Sequence, residues 1–425
     1  MKDYFQIVQG DCFDVLKTLP ENSIDAVVTD PPYGIRFMGE AWDGEDIEKK
    51  VQKRRSQASN DPTCTKKGGH NSIAHEAGKY DFSLKGLKAF EVWTHLWAQE
   101  VLRVLKPGGH LVSFSAPRSY HRMVSGIEDA GFEIRDQIQW IFGSGFPKSH
   151  NLSGKFKGWG TGLKPGYEPI CLARKPFKGS VSDNMNIHSV GAINIDECRV
   201  HTFDGIRSTA NNNINGGSFN SDNSMKPCES VYVQNDLGRW PANLIHDGSD
   251  EVLDAFPEAC GALSDVKNQH KCRQSPNGIY GGMRPALDRP ARKELDKSAA
   301  RFFYCPKASR LDRNEGLGET PAQFKHGSTL RHAENLTERK GNFHPTVKPT
   351  DIMRYLCRLV TPKDGTVLDP FTGSGSTGKA AILEGFKFYG IEREDKYIPI
   401  ANARCLYALN RLVDKKPSRM ILELV

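Results

Sequence analysis

Nowhere in its 425 residues does the chain hold the ~18 consecutive apolar residues that a membrane-spanning helix needs, so a bilayer span is not expected. The opening residues, MKDYFQIVQGDC, lack the apolar core of a signal peptide, which points to the cytoplasm. Ten cysteines are scattered without a single CxxC pair. Cys260, His270 and Cys272 come nearest to a ligand set, but no fourth ligand accompanies them, so no metal is expected. No internal repeat is visible. What remains is 38% hydrophobic and 26% charged, the composition of a globular protein with room for two domains, or for one α/β domain carrying a large insertion.

The net charge of +7 is modest but unevenly spread. Residues 271–310 carry ten Lys/Arg against three Asp/Glu, and residues 49–67 carry seven against one. Charge runs are usually solvated faces. Two such blocks flanked by near-neutral sequence favour a polyanionic partner, with Arg289, Arg292 and Lys293 as candidate phosphate contacts.

Seven short, β-branched-rich runs read as strands: 5–10, 24–30, 109–116, 133–141, 167–173, 366–370 and 387–392. Between several of them apolar residues recur at helical spacing, over 90–105, 377–383 and 396–412. The first of these helices should stop at Pro107-Gly108-Gly109. Alternating strands and helices predict an α/β fold with a mostly parallel sheet covered on both faces. From Pro176 to about residue 300 the chain turns Asn-, Ser-, Gly- and Pro-rich, which predicts an irregular insertion with at least one mobile loop. Within it, residues 242–256 (ANLIHDGSDEVLDAF) suggest one strand and one helix.

Near the C-terminus stands VLDPFTGSGSTGK, residues 367–379. Its glycines, Gly373, Gly375 and Gly378, spell the GxGxxG of dinucleotide sites, and GSGSTGKA nearly spells the phosphate loop of ATPases. The ATP reading needs a hydroxyl after the lysine, where Ala380 stands. The NAD reading gains from Glu392, placed to bind a ribose at the end of the next strand, but leaves Asp369-Pro370-Phe371 unexplained. S-adenosylmethionine (AdoMet), which has a ribose, an adenine and a cationic sulfonium but no phosphate, suits a glycine turn framed by acids, with Asp369 towards the sulfonium. A glycine turn without a ligand is the plain alternative. A half-sheet of two strands cannot bury both faces, so its neighbours must come from elsewhere in the chain, and the N-terminal strands supply them. The first of those ends at an acid, Asp11.

The second N-terminal strand runs into Asp30-Pro31-Pro32-Tyr33. Two prolines stop strand pairing and leave carbonyl groups without neighbouring N–H donors. A fixed carboxylate, a proline carbonyl and a tyrosine ring suit a flat molecule with an amino group, two acceptors for its hydrogens and one ring to stack on. An ordinary Pro-Pro turn with a packed tyrosine is the plain alternative.

Taken together, Gly10-Asp11, DPPY at 30–33, LKPGGHLVSFSAPR at 105–118, residues 342–378 with HPTVKP and the glycine turn, and GIEREDKY at 390–397 resemble the amino-group (N6-adenine and N4-cytosine) DNA methyltransferases in the circularly permuted order called β. The resemblance covers both ends of the chain. It implies a seven-stranded, circularly permuted, Rossmann-like sheet with AdoMet as cofactor and double-stranded DNA as partner. It implies a catalytic half over 1–176, an inserted target-recognition region over 177–300 and an AdoMet-binding half over 301–425. Asp30, Pro31, Pro32 and Tyr33 would then be catalytic, drawing on the amino group of a flipped base. Asp11 would meet the cofactor adenine; His344, Thr346 and Lys348 would line its methionine end; Asp369, Phe371, Gly373, Ser374, Gly375 and Glu392 would complete the cradle. Trp140, with Phe142, falls where the family carries an aromatic near the flipped base. Asp at the first motif position implies adenine, with N4 of cytosine as the alternative. A homodimer and a cognate restriction endonuclease are further partner expectations.

Overall fold

A computed structural model describes residues 4–35, 43, 46–47, 83–143, 145, 149–201, 206–210, 231–235, 238–258, 298–306, 311–317 and 341–415. The described strands are β1 (Phe5–Gln9), β2 (Ile24–Thr29), β3 (Leu105–Phe114), β4 (Glu133–Ile141), β5 (Tyr167–Arg174), β6 (Ile206–Ala210), β7 (Val231–Asn235), β8 (Leu244–His246), β9 (Thr366–Asp369) and β10 (Lys387–Glu392). The described helices of five or more residues are α1 (Cys12–Leu16), α2 (Leu84–Val104), α3 (Tyr120–Asp129), α4 (Val181–His188), α5 (Asp250–Ala255), α6 (Thr350–Val360), α7 (Ser376–Leu383) and α8 (Ile398–Lys415).

Two units emerge: Met1–Cys198 with Asn243–Asp247 and Cys305–Val425, and Arg199–Ala242 with Gly248–Tyr304. The division falls at 199 rather than at 177. Residues 177–198 stay with the first unit because α4 packs on β3, where the Asn184 amide donates to the carbonyls of Pro107 and Val190. In the second unit β6 and β7 pair antiparallel, Ile206 opposite Asn235, and Arg239 and Arg301 stack on Phe302. The apolar content of these two strands is slight: Ile206 and Ala210 in the first, Val231-Tyr232-Val233 in the second.

Among the described residues, the sheet of the first unit has eight strands, not seven, in the order β1-β10-β9-β2-β3-β5-β4-β8. The seven runs read from the sequence all form strands, and β8 adds an eighth by pairing parallel to β4. Only β5 runs against its neighbours β3 and β4. Helix α2 ends at Val104, before Pro107-Gly108-Gly109, which lie in β3. Its buried Phe90, Trp93, Trp97, Val101 and Val104 recur three and four apart, so a single stripe faces the sheet. Ser83 caps its first turn by accepting from the Gly86 amide.

The two ends of the chain meet at β2 and β9, where Ala26 pairs with Val367 and Val27 with Leu368. Side chains stitch this seam at both ends. The Asp25 carboxylate accepts from the Lys106 ammonium (2.6 Å) and from the Thr366 amide (2.8 Å), tying three strands together. At the other end the Thr29 hydroxyl donates to Asp369 (2.6 Å), which also accepts from the Phe371 amide. Complete burial pushes the Asp369 carboxyl up to about 6, against the hydrogen bonds that favour its charge.

This raised value sets a sign. Folded Asp369 holds its proton more tightly than the unfolded chain, so stability is lost as pH rises from the ordinary 3.8 through about 6. Asp369→Asn keeps an oxygen for Thr29 and Phe371 and cannot ionise. Its melting temperature should match or exceed that of wild type above pH 6, with the difference vanishing below about pH 4. A variant that loses stability specifically at high pH would refute the assignment.

Candidate active site

A cleft of about 870 Å³ lies over the carboxyl ends of β1, β2, β9 and β10. Strand order reverses between β9 and β2, and open α/β sheets bind ligands at such a switch point. Asp30, Pro31, Pro32 and Tyr33 line one side, while Gly10, Asp11, Phe371, Gly373 and Glu392 line the other.

The DPPY turn leaves the sheet at the end of β2 and reverses at Gly34, whose φ of +70° favours glycine. A Cβ there would also lie 2.6 Å from the Phe90 ring. Buried Asp43 accepts from the Gly34 and Ile35 amides and holds the turn. Asp30 is not a lone acid. The Tyr33 hydroxyl donates to its Oδ1 (2.7 Å) and the Lys348 ammonium to its Oδ2 (2.6 Å). Glu168, at the start of β5, lies 3.3 Å from the same ammonium and 3.4 Å from the Tyr33 hydroxyl. Burial pushes the Glu168 carboxyl up, although Lys348 opposes the rise. Burial works against the Lys348 ammonium, yet Asp30 and Glu168 hold its pKa above the usual lysine value. Burial and the two acids drive the Tyr33 phenol well above its ordinary value, so it remains a donor. With both acids ionised, one cation faces two anions and the cluster keeps a surplus negative charge toward the cleft.

Lys348 thus pairs with the Asp30 carboxylate while lining the cleft. His344 and Thr346 do line the cleft. The His344 ring packs edge-on against Tyr397 at 4.5 Å, and burial lowers it to about 4, so the imidazole is neutral at neutral pH. Gly373, at φ +51°, passes directly beneath His344, and a Cβ would lie 2.8 Å from its Nε2. This cradle exists only because residue 373 has no side chain.

Opposite DPPY, Glu392 fixes the glycine turn to β10. Its Oε2 accepts from the Gly373 amide (2.6 Å) and its Oε1 from the Glu394 amide (2.8 Å). Lone pairs remain on both oxygens for hydroxyl donors. Asp11 caps α1 by accepting from the Phe13 amide and borders the same space. Phe371 packs on Trp93 (5.4 Å) and Trp97 (5.5 Å), so the aromatic stripe of α2 supports the cleft floor.

Three residues expected in the cradle stand behind it. Asp369 faces the seam. Ser374 is buried against Arg404, whose guanidinium donates to its carbonyl (3.0 Å) and hydroxyl (3.1 Å). Gly375, at φ +77°, lets the turn pass Ala401 of α8, with 2.9 Å between a would-be Cβ and the Ala401 Cα. Of this segment, Pro370, Phe371 and Gly373 line the cleft.

Lys379, the lysine of the near-phosphate-loop pattern, is 1% exposed and donates to Asp312 (2.5 Å) and Glu315 (2.7 Å). It is committed to protein carboxylates, and Ala380 beside it is buried. The turn therefore lacks the cation and the hydroxyl with which a nucleoside triphosphate is held.

Trp140 and Phe142, 5.3 Å apart, both line the cleft beyond Tyr33. Arg289, Arg292 and Lys293 lie outside the described residues, as do positions 49–67, Cys260, His270 and Cys272. Sequence reasoning misses Glu168, the one acid of β5, and Arg404, one cation among several on a helix. No local pattern marks either. Their roles come from partners 135 and 30 residues away.

A family model described as DNA methylase, for N6/N4 methyltransferases, matches residues 24–403. The Type II methyltransferase M.HindIII of Haemophilus influenzae is 26% identical over 311 residues, 64% of this chain and 92% of that protein. M.BglI of Bacillus subtilis is 45% identical over 101 residues, 24% of this chain and 28% of its own length. Among solved structures, the M1.HpyAVI–SAM complex (TM-score 0.37, 16% identity) covers 94% of this chain and 99% of that one. The PvuII DNA methyltransferase, cytosine-N4-specific (TM-score 0.40, 15% identity), covers 97% and 94%. With the family match spanning the sheet from β2 to α8, this chain belongs to the N6/N4 DNA methylase family.

Proposed function

We propose that the protein transfers a methyl group from S-adenosylmethionine to the exocyclic N6 of adenine in double-stranded DNA, with the target nucleotide turned out of the helix into the cleft. One observation carries the reading: the Asp30 carboxylate, clamped by Lys348 and Tyr33, opens across the cleft from Glu392 and Gly373. The residues fit the cofactor. Glu392 suits ribose hydroxyls, Asp11 borders the space for an adenine, and the side-chain-free surface at Gly373, with neutral His344 above it, suits the methionine portion. With Lys379 committed to Asp312 and Glu315, the turn has no lysine for a nucleoside triphosphate.

When bound, S-adenosylmethionine supplies an electrophilic methyl group on a cationic sulfonium. Asp30 and the Pro31 carbonyl accept the two amino hydrogens of the base, which turns the nitrogen lone pair out of ring conjugation and toward the methyl group. Lys348 and Tyr33 fix the carboxylate so that it does not reorganise as charge grows on nitrogen. After transfer the nitrogen must release one proton, and the surplus negative charge of Asp30 and Glu168 over Lys348 is placed to receive it. Tyr33, Trp140 and Phe142 offer ring surfaces for the base. Adenine is favoured by the acid at position 30; N4 of cytosine is the alternative. That the matched relatives include Type II methyltransferases supports a partner endonuclease with the same recognition site.

Digestion of DNA methylated by the enzyme, followed by mass analysis of the nucleosides, should yield N6-methyladenine; N4-methylcytosine would overturn the base assignment. Asp30→Ala should lower methyl transfer by at least about 100-fold, the scale of losing one preorganised catalytic group, while cofactor binding by calorimetry persists. Full activity would sink the mechanism. Lys348→Met removes the cation that opposes the burial-driven rise of the Glu168 carboxyl. Glu168 then retains a proton to higher pH, so the acid limb of the rate profile should move upward. A profile unchanged in position would show that Lys348 does not hold Glu168 ionised.

A further inference from the structure

Between β4 and β5 the chain makes a turn with an unusual balance of order and exposure. Asn151 and Gly160 form an antiparallel bridge, and the Leu152 amide donates to the Trp159 carbonyl (2.8 Å). At its base Ser149 accepts from the Thr161 and Gly162 amides, and Thr161 accepts from the His150 amide. A single 3₁₀ turn, Gly154–Phe156, shapes the tip. Backbone hydrogen bonds thus define the turn, yet every residue from Asn151 to Gly160 is exposed.

Its large apolar side chains take no part in a core. Phe156 is 51% exposed, Trp159 70% and Leu163 92%. A cluster of this kind marks an interaction surface, because isolated exposed apolar residues are common but grouped aromatics are not. Charge identifies the partner. Lys155, Lys157 and Lys164 lie among the aromatics, and no acidic residue occurs between Ser149 and Tyr167. Cations interleaved with aromatic rings suit a polyanion with flat, stackable groups. The turn is continuous with the cleft, because Leu163, Lys164 and Tyr167 also line it.

We propose that residues 150–164 form a DNA-contacting wedge: its lysines meet backbone phosphates, and Trp159 and Phe156 stack where the target nucleotide leaves the duplex. This rests on the methyltransferase reading and names the surface that supports the emptied position. An aromatic wedge offsets the unstacking that extrusion costs.

The test begins with wild type methylating unmodified duplex DNA; failure there rejects the enzymatic reading, not the wedge. Phe156→Ser/Trp159→Ser should keep the wild-type melting temperature and cofactor affinity. It should lose duplex methylation by about tenfold or more, the scale of one base–aromatic stack. Lys155→Gln/Lys157→Gln should weaken duplex binding and reduce the slope of log K against log salt by about one per lysine that meets a phosphate. Unchanged methylation and salt slope in both variants would overturn the proposal. A change from dimer to monomer in sedimentation, with DNA binding intact, would overturn it in favour of a second copy of the chain.

Discussion

Everything in the first unit hangs on one junction, the parallel pairing of β2 with β9. It joins segments 340 residues apart through only two register pairs, Ala26 with Val367 and Val27 with Leu368. Two carboxylates at its ends supply what so short a ladder cannot. Asp25 captures the backbone of β9 and the side chain of β3, and Asp369 captures Thr29 of β2. Because β2 ends in the DPPY turn and β9 in the glycine turn, aligning these two strands aligns the cleft. A register slip would separate Asp30 from Glu392's side of the site and invert which side chains face it.

The two walls are stiffened differently. On the DPPY side the order is electrostatic: a buried lysine is shared by two acids and a phenol that stays protonated. Such a cluster is costly to desolvate and tolerates no missing member. On the glycine side the order is steric and hydrogen-bonded. Gly373 and Gly375 permit close approach, Glu392 holds the turn from the cleft, and Arg404 grips it from behind. One wall is tuned for charge, and the other for shape.

Much of this was legible in the sequence because it is local. Seven strands announced themselves as short β-branched runs, and the stripe of α2 by its spacing. Pro31-Pro32 and the three glycines marked both turns of the cleft. The eighth strand is only three residues long, too short for alternation to establish, although its apolar run was visible. Directions of side chains were harder. Asp369 adjoins the glycine turn in sequence, but it faces Thr29, a fact fixed by a neighbour strand whose identity no local pattern reveals. Nothing local in HPTVKP shows that the fold carries Lys348 to Asp30, 318 residues away. Glu168 belongs to a strand that runs antiparallel, which brings its first residues, not its last, to the cleft.

The fully buried strand β2 gives the permuted order a consequence in time. During synthesis β3, the partner of β2 on one side, emerges early, but β9 follows β2 only after more than 300 residues. At typical translation rates of about 5–20 residues per second, that edge waits tens of seconds. An apolar edge left open so long is a template for wrong pairing. The nascent chain therefore depends on something to shield it, and no catalytic site can exist on the ribosome until the glycine turn and its Arg404 brace have emerged.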